Sequence, residues 1–429
     1  MSVYLIKGGR KLLGEIDVAG SKNAALAIMS AVVLAEGTTI LHNVPNVSDT
    51  RTKAKLLEVF GAKVQWREGS LVIDCSELHD GEADEEVVRS IRTSFYLLGP
   101  LLARIGCVTL PAPGGCKIGA RPVDLHIKGL TALGAELDLS DGRYTARATN
   151  LVGTEIYLDV PSAGATQHLM ATATLAKGIT VIQNCAVEPE VTALADFLNR
   201  MGAKVEGAGT STITIEGGKH LEACGYTIPT DRLQAGTYLI AGAITGGDVT
   251  VRGIIPEHQT AVINKLREIG ADVSEGPDWL RVKASPNMKG VRIKTMPYPG
   301  FPTDMQQPMS ALLTLCEGMS VVEETIYESR IGHVQELNRM GATIMQEGRT
   351  SIITGVSGLK GATVSASDLR AGAALVLAGL AAEGETIIKN IHFIDRGYDN
   401  LEGCIVALGG DMRRIASQEK RNKVGDPTH

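Results

Sequence analysis

A cysteine stands between glycines and cations in the segment PAPGGCKIGARPVDLH, residues 111–126. The prolines and glycines of this segment exclude a regular helix or a central strand, so Cys116 is expected on a loop. Lys117 and Arg121 should stabilise a thiolate and raise the reactivity of the sulfur. The segment therefore predicts a reactive thiol, with a loop cysteine of no chemical role as the alternative.

Four predicted helix starts carry a cation: Lys22, Arg92, Arg232 and Arg370. The first turn of a helix already carries positive partial charge, so a cation there costs a little stability. Free N–H groups at converging helix starts, together with added cations, form a site for an anion. The alternative is a set of solvated surface cations, and four cations in equivalent places argue against it.

Further charged residues lie in connectors that are expected at the same end of the fold: Glu188, Glu190, Arg330, His333 and Arg396. Asp304 opens another predicted helix, where an acid is also favoured by the helix dipole alone. The nine histidines show no spacing typical of metal ligands, so no metal is predicted. No phosphate-binding or dinucleotide-binding glycine motif occurs, and no cofactor is predicted.

The positioning elements come from a sixfold repeat. A glycine between a hydrophobic residue and a small residue recurs every 68 to 73 residues, at Gly61, Gly134, Gly202, Gly270, Gly341 and Gly409. Each glycine ends an amphipathic helix, and a helix that is apolar on all sides lies upstream of it. The second unit is longer than the others, and its extra residues fall in the cysteine segment, which predicts an inserted lid.

Buried helices with half-exposed strands outside them indicate an inside-out α/β arrangement. Six units can form one ring or two groups of three, and two compact domains suit the chain length of 429 residues better. The expected division lies near Pro229. The chain after Met412 has no apolar periodicity, which predicts loose order there.

Composition and charge exclude several classes of protein. A net charge of −6 argues against nucleic acid as the main partner. No uninterrupted apolar run is long enough for a membrane span, and the start MSVYLIKGGRK has no apolar core long enough for a signal peptide, so neither feature is expected. The seven scattered cysteines, without a Cys-x-x-Cys pair, predict reduced thiols in the cytoplasm.

Eight segments, in chain order, resemble the UDP-N-acetylglucosamine 1-carboxyvinyltransferase family of enolpyruvyl transferases. They are GSKNAAL (20–26), PGGCKIGARPVDLH (113–126), PSAGAT (161–166), TDRLQAGT (230–237), FPTDMQ (301–306), ESRIGHV (328–334), SDLRAG (367–372) and DRGYD (395–399). The resemblance implies two inside-out α/β barrel domains of three repeated units each. It also implies that residues 1–21 join residues 230–429, while residues 22–229 form the domain with the cysteine lid.

The resemblance further implies the reaction. The enolpyruvyl group of phosphoenolpyruvate moves to the 3′-hydroxyl of UDP-N-acetylglucosamine and phosphate leaves, as the first committed step of peptidoglycan synthesis, on which cell shape and division depend. Cys116, Asp304, Lys22 and Arg396 are the implied catalytic residues, and the loop cysteine is the implied target of the epoxide fosfomycin. Asp304 matches the carboxylate held against the hydroxyl.

Substrate contacts are implied for a larger set. Those near phosphoenolpyruvate are Lys22, Asn23, Arg121, Arg330, Arg370 and Arg396, and those near the sugar nucleotide are Arg92, Arg121, Pro122, Val123, Asp124, Leu125, Ser162, Ala163, Gly164, Asp304 and Ile326. Some relatives have a basic residue where this chain has Val160, which argues against a contact from position 160 to the diphosphate. No oligomeric state is predicted.

Two other functions are weighed against this one. A related transferase acting on shikimate 3-phosphate would need neither the cysteine lid nor the RPVDLH segment. A catalytically silent paralogue that binds the sugar nucleotide and regulates a partner would tolerate losses at Lys22, Cys116, Asp304, Arg370 and Arg396, all of which are intact.

Overall fold

The computed structural model describes residues 2–113 and 123–416. Cys116, Arg121 and Pro122 lie outside the described residues, as does the chain after residue 416. Within the described ranges the protein is mixed α/β, with helices and short strands alternating along the chain. No helix found there is both long and apolar enough to cross a membrane.

The α-helices of the described residues are α1 (Lys22–Ala31), α2 (Ser48–Val59), α3 (Glu85–Ser90), α4 (Leu98–Ile105), α5 (Asp124–Ala132), α6 (Ala163–Ala173), α7 (Pro189–Arg200), α8 (Arg232–Ile244), α9 (Thr260–Ile269), α10 (Thr303–Leu313), α11 (His333–Arg339), α12 (Leu369–Ala381) and α13 (Leu401–Ala407). Short 3₁₀ segments cover Val32–Leu34, Arg92–Leu97, Pro256–Gln259 and Ile391–Arg396.

The strands are β1 (Ser2–Lys7), β2 (Leu13–Asp17), β3 (Thr38–His42), β4 (Lys63–Arg67), β5 (Ser70–Asp74), β6 (Cys107–Pro111), β7 (Glu136–Ser140), β8 (Arg143–Arg147), β9 (Glu155–Tyr157), β10 (Gly178–Gln183), β11 (Lys204–Glu206), β12 (Thr212–Gly217), β13 (Gly225–Thr227), β14 (Asp248–Arg252), β15 (Asp272–Glu275), β16 (Trp279–Lys283), β17 (Arg292–Lys294), β18 (Met319–Glu323), β19 (Thr343–Glu347), β20 (Thr350–Thr354), β21 (Thr363–Ser365), β22 (Glu385–Lys389) and β23 (Asp411–Ala416).

The two kinds of helix alternate as the repeat predicts. Helices α1, α6, α8, α10 and α12 are buried on nearly all sides, and α4 is buried over its first five residues. The amphipathic helices α2, α5, α7, α9, α11 and α13 each end near a repeat glycine. All six of these glycines have φ between 89° and 105°. A side chain would strain the backbone in that region, which explains why glycine recurs there.

Each unit contributes one small sheet. Five sheets have four strands and one, β6-β8-β7, has three. In each four-stranded sheet a central strand pairs with a parallel strand on one side and with an antiparallel strand on the other. For example, β10 pairs with the parallel strand β9 and with the antiparallel strand β12. The hydrogen-bonded sheets remain separate and do not close into a continuous barrel within the described residues.

The end of the described chain corrects one expectation. Loose order after Met412 is wrong for residues 413–416, because β23 extends to Ala416 and pairs with β1 along its whole length. The first strand supplies backbone partners from the far end of the chain, which satisfy the N–H and C=O groups of an otherwise exposed segment. Apolar alternation is not needed for an edge strand held in this way.

The buried apolar residues form two clusters. One extends from Ala24 to Ile228, and the other combines residues between Tyr4 and Val18 with residues between Leu233 and Met412. In keeping with this, β1 pairs with β22 and β23, and β2 pairs with β14. The domain boundaries themselves, 22–229 and 1–21 with 230–429, stay a prediction.

Candidate active site

Two segments of chain connect the core clusters, and they lie side by side. Gly20 and Thr230 form an isolated antiparallel bridge. Immediately afterwards Asp231 caps α8, where its Oδ1 accepts from Leu233 N at 2.8 Å. The other oxygen, Oδ2, accepts from the backbone N of Lys22 at 3.2 Å, at the start of α1. One carboxylate therefore fixes the starts of two helices from different clusters next to each other.

Lys22 projects from that junction onto a buried carboxylate. Its Nζ lies 3.2 Å from Asp49 Oδ2, and Arg396 Nε lies 2.9 Å from Asp49 Oδ1. Asp49 belongs to the first turn of α2, and Arg396 ends a 3₁₀ segment of the other cluster. The side chain of Asp49 is only 5% exposed. The two cations that the resemblance assigns to a phosphate thus converge on one anionic group.

A second carboxylate is held in the same manner. Asp304 Oδ1 lies 2.7 Å from Arg330 Nη1, and its Oδ2 accepts from Arg370 Nε and Nη2, both at 3.1 Å. Burial by itself raises the pKa of Asp304, but the two guanidinium groups, with a smaller contribution from Lys22, hold that pKa far below its usual range. The carboxyl group of Asp304 is therefore ionised at neutral pH.

The two arginines that hold Asp304 retain unused hydrogen-bond donors. Arg370 Nη1 and Arg330 Nε are buried atoms with no hydrogen-bond partner in the described structure. The guanidinium of Arg370 also lies over the ring of Tyr398, 5.2 Å from its centroid. Burying an unpaired N–H of a charged group is costly. Such donors are suited to a ligand anion.

A buried group of rings joins three of the segments predicted to contact the sugar nucleotide. The 3₁₀ segment that starts at Arg92 carries Tyr96, whose ring stacks on His168 of α6. His168 in turn shares a 2.9 Å hydrogen bond with His126 of α5. A Cβ on Gly164 would lie 2.4 Å from the Tyr96 hydroxyl, so the absence of a side chain there lets the tyrosine ring lie against α6. The segment of Arg92 and the starts of α5 and α6 are therefore positioned together.

The remaining predicted contacts distribute as follows. Val123, Asp124 and Leu125 lie at the start of α5, directly after the residues that are not described. Ser162 caps α6, and Ala163 and Gly164 belong to the first turn of that helix. Asn23 is half-buried on α1, and Ile326 lies before α11. Val160 is 58% exposed. The roles of all these residues stay predictions, because geometry alone does not identify their ligands.

The alternative of solvated cations fails for three of the four helix starts. Lys22 pairs with the buried Asp49 and Arg370 with the half-buried Asp304, and the two cationic side chains are 13% and 1% exposed. Arg232 is likewise buried, with its Nε 3.0 Å from Glu190 Oε1 across the two clusters. Arg92 is half-buried. The cations at helix starts are thus elements of paired networks rather than surface charges.

Sequence reasoning missed Asp49. An acid in the first helical turn is favoured by the helix dipole alone, so its residue type carried no functional signal. The repeat could have indicated it, since Asp49 in the first unit and Glu190 in the third are both acids in the first turn of an amphipathic helix. Each of them meets a cation from the other cluster.

A model of the family described as EPSP synthase (3-phosphoshikimate 1-carboxyvinyltransferase) matches residues 6–404. Among curated proteins, the chain is 47% identical to UDP-N-acetylglucosamine 1-carboxyvinyltransferase 3 of Caldanaerobacter subterraneus subsp. tengcongensis, over 97% of this chain and 100% of that protein. It is 50% identical to UDP-N-acetylglucosamine 1-carboxyvinyltransferase 3 of Symbiobacterium thermophilum, over 96% and 98%.

Solved structures give a concordant result for the fold. The enolpyruvyl transferase NikO from Streptomyces tendae superimposes with a TM-score of 0.87 at 25% identity, over 96% of this chain and 99% of that one. EPSP synthase from Acinetobacter baumannii superimposes with a TM-score of 0.74 at 21% identity, over 97% and 100%. The second similarity concerns the fold alone.

Proposed function

The chain belongs to the EPSP synthase family of carboxyvinyltransferases, and we propose that it is the member that acts on UDP-N-acetylglucosamine. It transfers the enolpyruvyl group of phosphoenolpyruvate to this sugar nucleotide and releases phosphate, in peptidoglycan synthesis. Full-length relatives with that activity in their names are 47% to 50% identical to it. The solved EPSP synthase is only 21% identical, which disfavours shikimate 3-phosphate as the acceptor.

The observation that carries the proposal is the pairing of four cations with two carboxylates: Lys22 and Arg396 with Asp49, and Arg330 and Arg370 with Asp304. Phosphoenolpyruvate has two anionic ends, a phosphate and a carboxylate, and needs cations at each of them. Lys22 and Arg396 are assigned to the phosphate, with Arg121 from outside the described residues. Arg330 and Arg370, with their unused buried N–H groups, are assigned to the neighbouring anionic positions.

Asp304 is assigned to the proton of the 3′-hydroxyl. A carboxylate whose pKa is held so low by two arginines is a weak base. A substrate anion that takes over hydrogen bonds from Arg330 or Arg370 weakens that hold and raises the affinity of Asp304 for a proton. Substrate binding would thereby prepare the base for the hydroxyl, and a carboxylate without bound substrate would stay inactive.

Cys116 is assigned to the loop that meets phosphoenolpyruvate, as an acid in the addition or as a group that assists product release. Support for this role comes from the sequence, because the residue lies outside the described structure. Reactivity toward fosfomycin follows from the same assignment. The same proposal includes a finer architecture of two inside-out barrels. It also includes a cytoplasmic location and a role in cell shape and division. Both parts rest on the family resemblance.

Phosphate release tests the function. The purified protein is incubated with phosphoenolpyruvate and either UDP-N-acetylglucosamine or shikimate 3-phosphate, and inorganic phosphate is measured together with the mass of the product. Release that depends on UDP-N-acetylglucosamine, with a product heavier by one enolpyruvyl group, is expected. Release with shikimate 3-phosphate alone would overturn the proposed acceptor. Sugar-nucleotide binding without any release would identify the silent paralogue.

A further inference from the structure

The six units provide an internal comparison at the residue that follows each central strand. It lies six positions after the glycine that precedes the strand, and the six residues are Asn43, Ala112, Asn184, Gly253, Glu324 and Asn390. The three asparagines and the glycine have left-handed backbones, with φ of 55°, 57°, 58° and 68°. Ala112 leads into the cysteine segment. Glu324 is thus the other departure, and its backbone is not left-handed.

The common residue at this position has a structural role. Asn43 Nδ2 donates to Ile228 O at 2.9 Å, and Asn184 Nδ2 donates to Leu158 O at 2.8 Å. Each bond fastens the end of the central strand to the parallel strand beside it. Asparagine is well suited to this position, since it tolerates the left-handed region and its amide supplies the donor. Glutamate does neither, so Glu324 must hold the end of its strand in a different way.

Glu324 instead gathers donors from three parts of its cluster. The side chain is 1% exposed. Its Oε1 accepts from Thr295 Oγ1 at 3.0 Å and from the backbone N of Ile326 at 2.8 Å. Its Oε2 accepts from Thr303 Oγ1 at 2.8 Å. In contrast to Asp49 and Asp304, this carboxylate is held by hydroxyl and backbone amide donors, which are all neutral.

The bond to Thr303 continues toward the candidate active site. Arg330 Nη1 donates to Thr303 Oγ1 at 2.9 Å and also lies 2.7 Å from Asp304 Oδ1. Because the threonine hydroxyl has one proton, which it donates to Glu324, its oxygen is free to accept from Arg330. The direction of every hydrogen bond from the guanidinium to the carboxylate is therefore fixed.

We propose that Glu324 is a positioning residue that couples the sugar-nucleotide contact at Ile326 to the Arg330–Asp304 pair through the hydroxyl of Thr303. The inference rests on the proposed function, which assigns Asp304 to the acceptor hydroxyl, and on the contact between Ile326 and the nucleotide that the family resemblance implies. One end of the carboxylate holds the backbone that meets the nucleotide. The other end sets the orientation of the arginine that holds the base.

Three variants test this coupling in the full-length enzyme. Glu324→Asn introduces the residue of the first, third and sixth units, so the strand end is expected to fold. Thr303→Val removes the hydroxyl that transmits the effect, and Thr303→Ser keeps it. Each of the single variants Glu324→Asn and Thr303→Val is expected to raise the KM for UDP-N-acetylglucosamine and to lower kcat. In each variant kcat/KM should fall by roughly ten- to hundred-fold, the range for one hydrogen bond to a charged group. Thr303→Ser should restore activity to near the wild-type value.

The activity of a double variant distinguishes coupling between Glu324 and Thr303 from two independent losses. The double variant Glu324→Asn with Thr303→Val is expected to be no worse than the poorer single variant. As a matched control, Asn184→Gly removes one hydrogen bond at the same repeat position of another unit and keeps the left-handed backbone, so kcat and KM should not change. Additive losses, or wild-type kinetics in Thr303→Val, would overturn the coupling. An inactive wild-type protein would instead overturn the proposed function.

Discussion

Arg396 Nε donates to Asp49 Oδ1 at 2.9 Å, although the two residues are 347 positions apart in the chain. The same carboxylate accepts from Lys22, so it lies between the two cations that the proposed function assigns to a phosphate. A carboxylate and a phosphate oxygen present similar acceptors to a guanidinium. Asp49 is therefore both a structural partner of these cations and a competitor for them.

Asp49→Asn should make the protein more responsive to phosphate. The amide no longer neutralises Lys22 and Arg396, so the melting temperature in phosphate-free buffer should fall. Added inorganic phosphate should bind between the two cations and so restore part of the lost melting temperature. Phosphate at about 100 times its Kd would stabilise the folded protein by about 2.7 kcal/mol. Thermal melts with and without phosphate check this. Equal phosphate-induced shifts in the variant and the wild type would contradict the competition.

The repeat made most of the fold predictable. The period of the glycines fixes where the amphipathic helices end, and the observed φ values at Gly61 and its five counterparts follow from that. The nature of the buried helices was equally readable, because a helix that is apolar all round has to be covered. In contrast, the strand 413–416 depends on pairing with Ser2 and its neighbours, and nothing local in that segment indicates a partner from the opposite end of the chain.

The site was predictable in part. A cation at a helix start opposes the helix dipole, so Lys22, Arg232 and Arg370 stood out from the sequence. Asp304 was singled out by the resemblance and Glu190 by its place in a connector, whereas Asp49 was missed because an acid in a first helical turn is the ordinary case. The hydroxyl of Thr303 and the carboxylate of Glu324 acquire their significance from neighbours brought together by the fold, which spacing in the sequence does not reveal.

Lys22→Met should reduce turnover strongly and stability slightly. A substrate phosphate would lose a charge-assisted bond, worth about 1.5–3 kcal/mol, and kcat/KM for phosphoenolpyruvate should fall by roughly ten- to hundred-fold or more. Asp49 keeps Arg396 as a partner, so the melting temperature should drop by only a few degrees. Steady-state kinetics and thermal melts of the same preparations check both. Normal turnover with a much lower melting temperature would make Lys22 a structural residue.

Asp304→Asn should preserve sugar-nucleotide binding within a few fold and cut turnover by roughly 10²–10⁴, the range for losing a general acid–base group. The amide keeps the shape of the side chain but cannot take a proton. Calorimetric titration with UDP-N-acetylglucosamine and turnover measurements separate the two quantities. Equal losses in binding and turnover would assign Asp304 a positioning role.

The stability of the same variant should depend on pH in a defined direction. Because the two arginines lower the pKa of Asp304 in the folded protein, its contribution to stability is complete above the unfolded value of about 4 and is lost as the pH falls below it. The difference in melting temperature between wild type and Asp304→Asn should therefore be constant from pH 8 to 5 and narrow toward pH 3. A difference that grows at low pH would contradict the depressed pKa.

Cys116→Asp should retain substantial activity and resist fosfomycin, whereas Cys116→Ser should lose more activity. A carboxyl group can donate a proton, and a hydroxyl of much higher pKa donates poorly. The epoxide needs a nucleophilic sulfur, which both variants lack. Turnover of the two variants across pH, with mass spectrometry of the wild-type adduct, checks the assignment. A fully active Cys116→Ser enzyme, or labelling of another cysteine, would remove chemistry from Cys116.

The hydrogen-bonded pair of His126 and His168 should make the folded protein less stable in acid. Gly99 N donates to His168 Nε2 at 2.8 Å, so the neutral His168 ring carries its proton on Nδ1 and donates it to His126. Burial, together with His126 and Lys53, lowers the pKa of His168 well below its usual value. The unfolded chain then binds a proton that the folded chain does not, and stability is lost as the pH falls below about 6.5, at up to about 1.4 kcal/mol per pH unit.

His168→Gln tests this acid sensitivity. The glutamine oxygen can still accept from Gly99 N, but the side chain no longer titrates, so the variant should be somewhat less stable than wild type at pH 7.5. Its melting temperature should then fall less than that of the wild type between pH 7.5 and 5.5. His220→Gln, at an exposed histidine, serves as the control and should show the wild-type slope. If His168→Gln also kept the wild-type slope, the acid sensitivity would come from groups other than this buried pair.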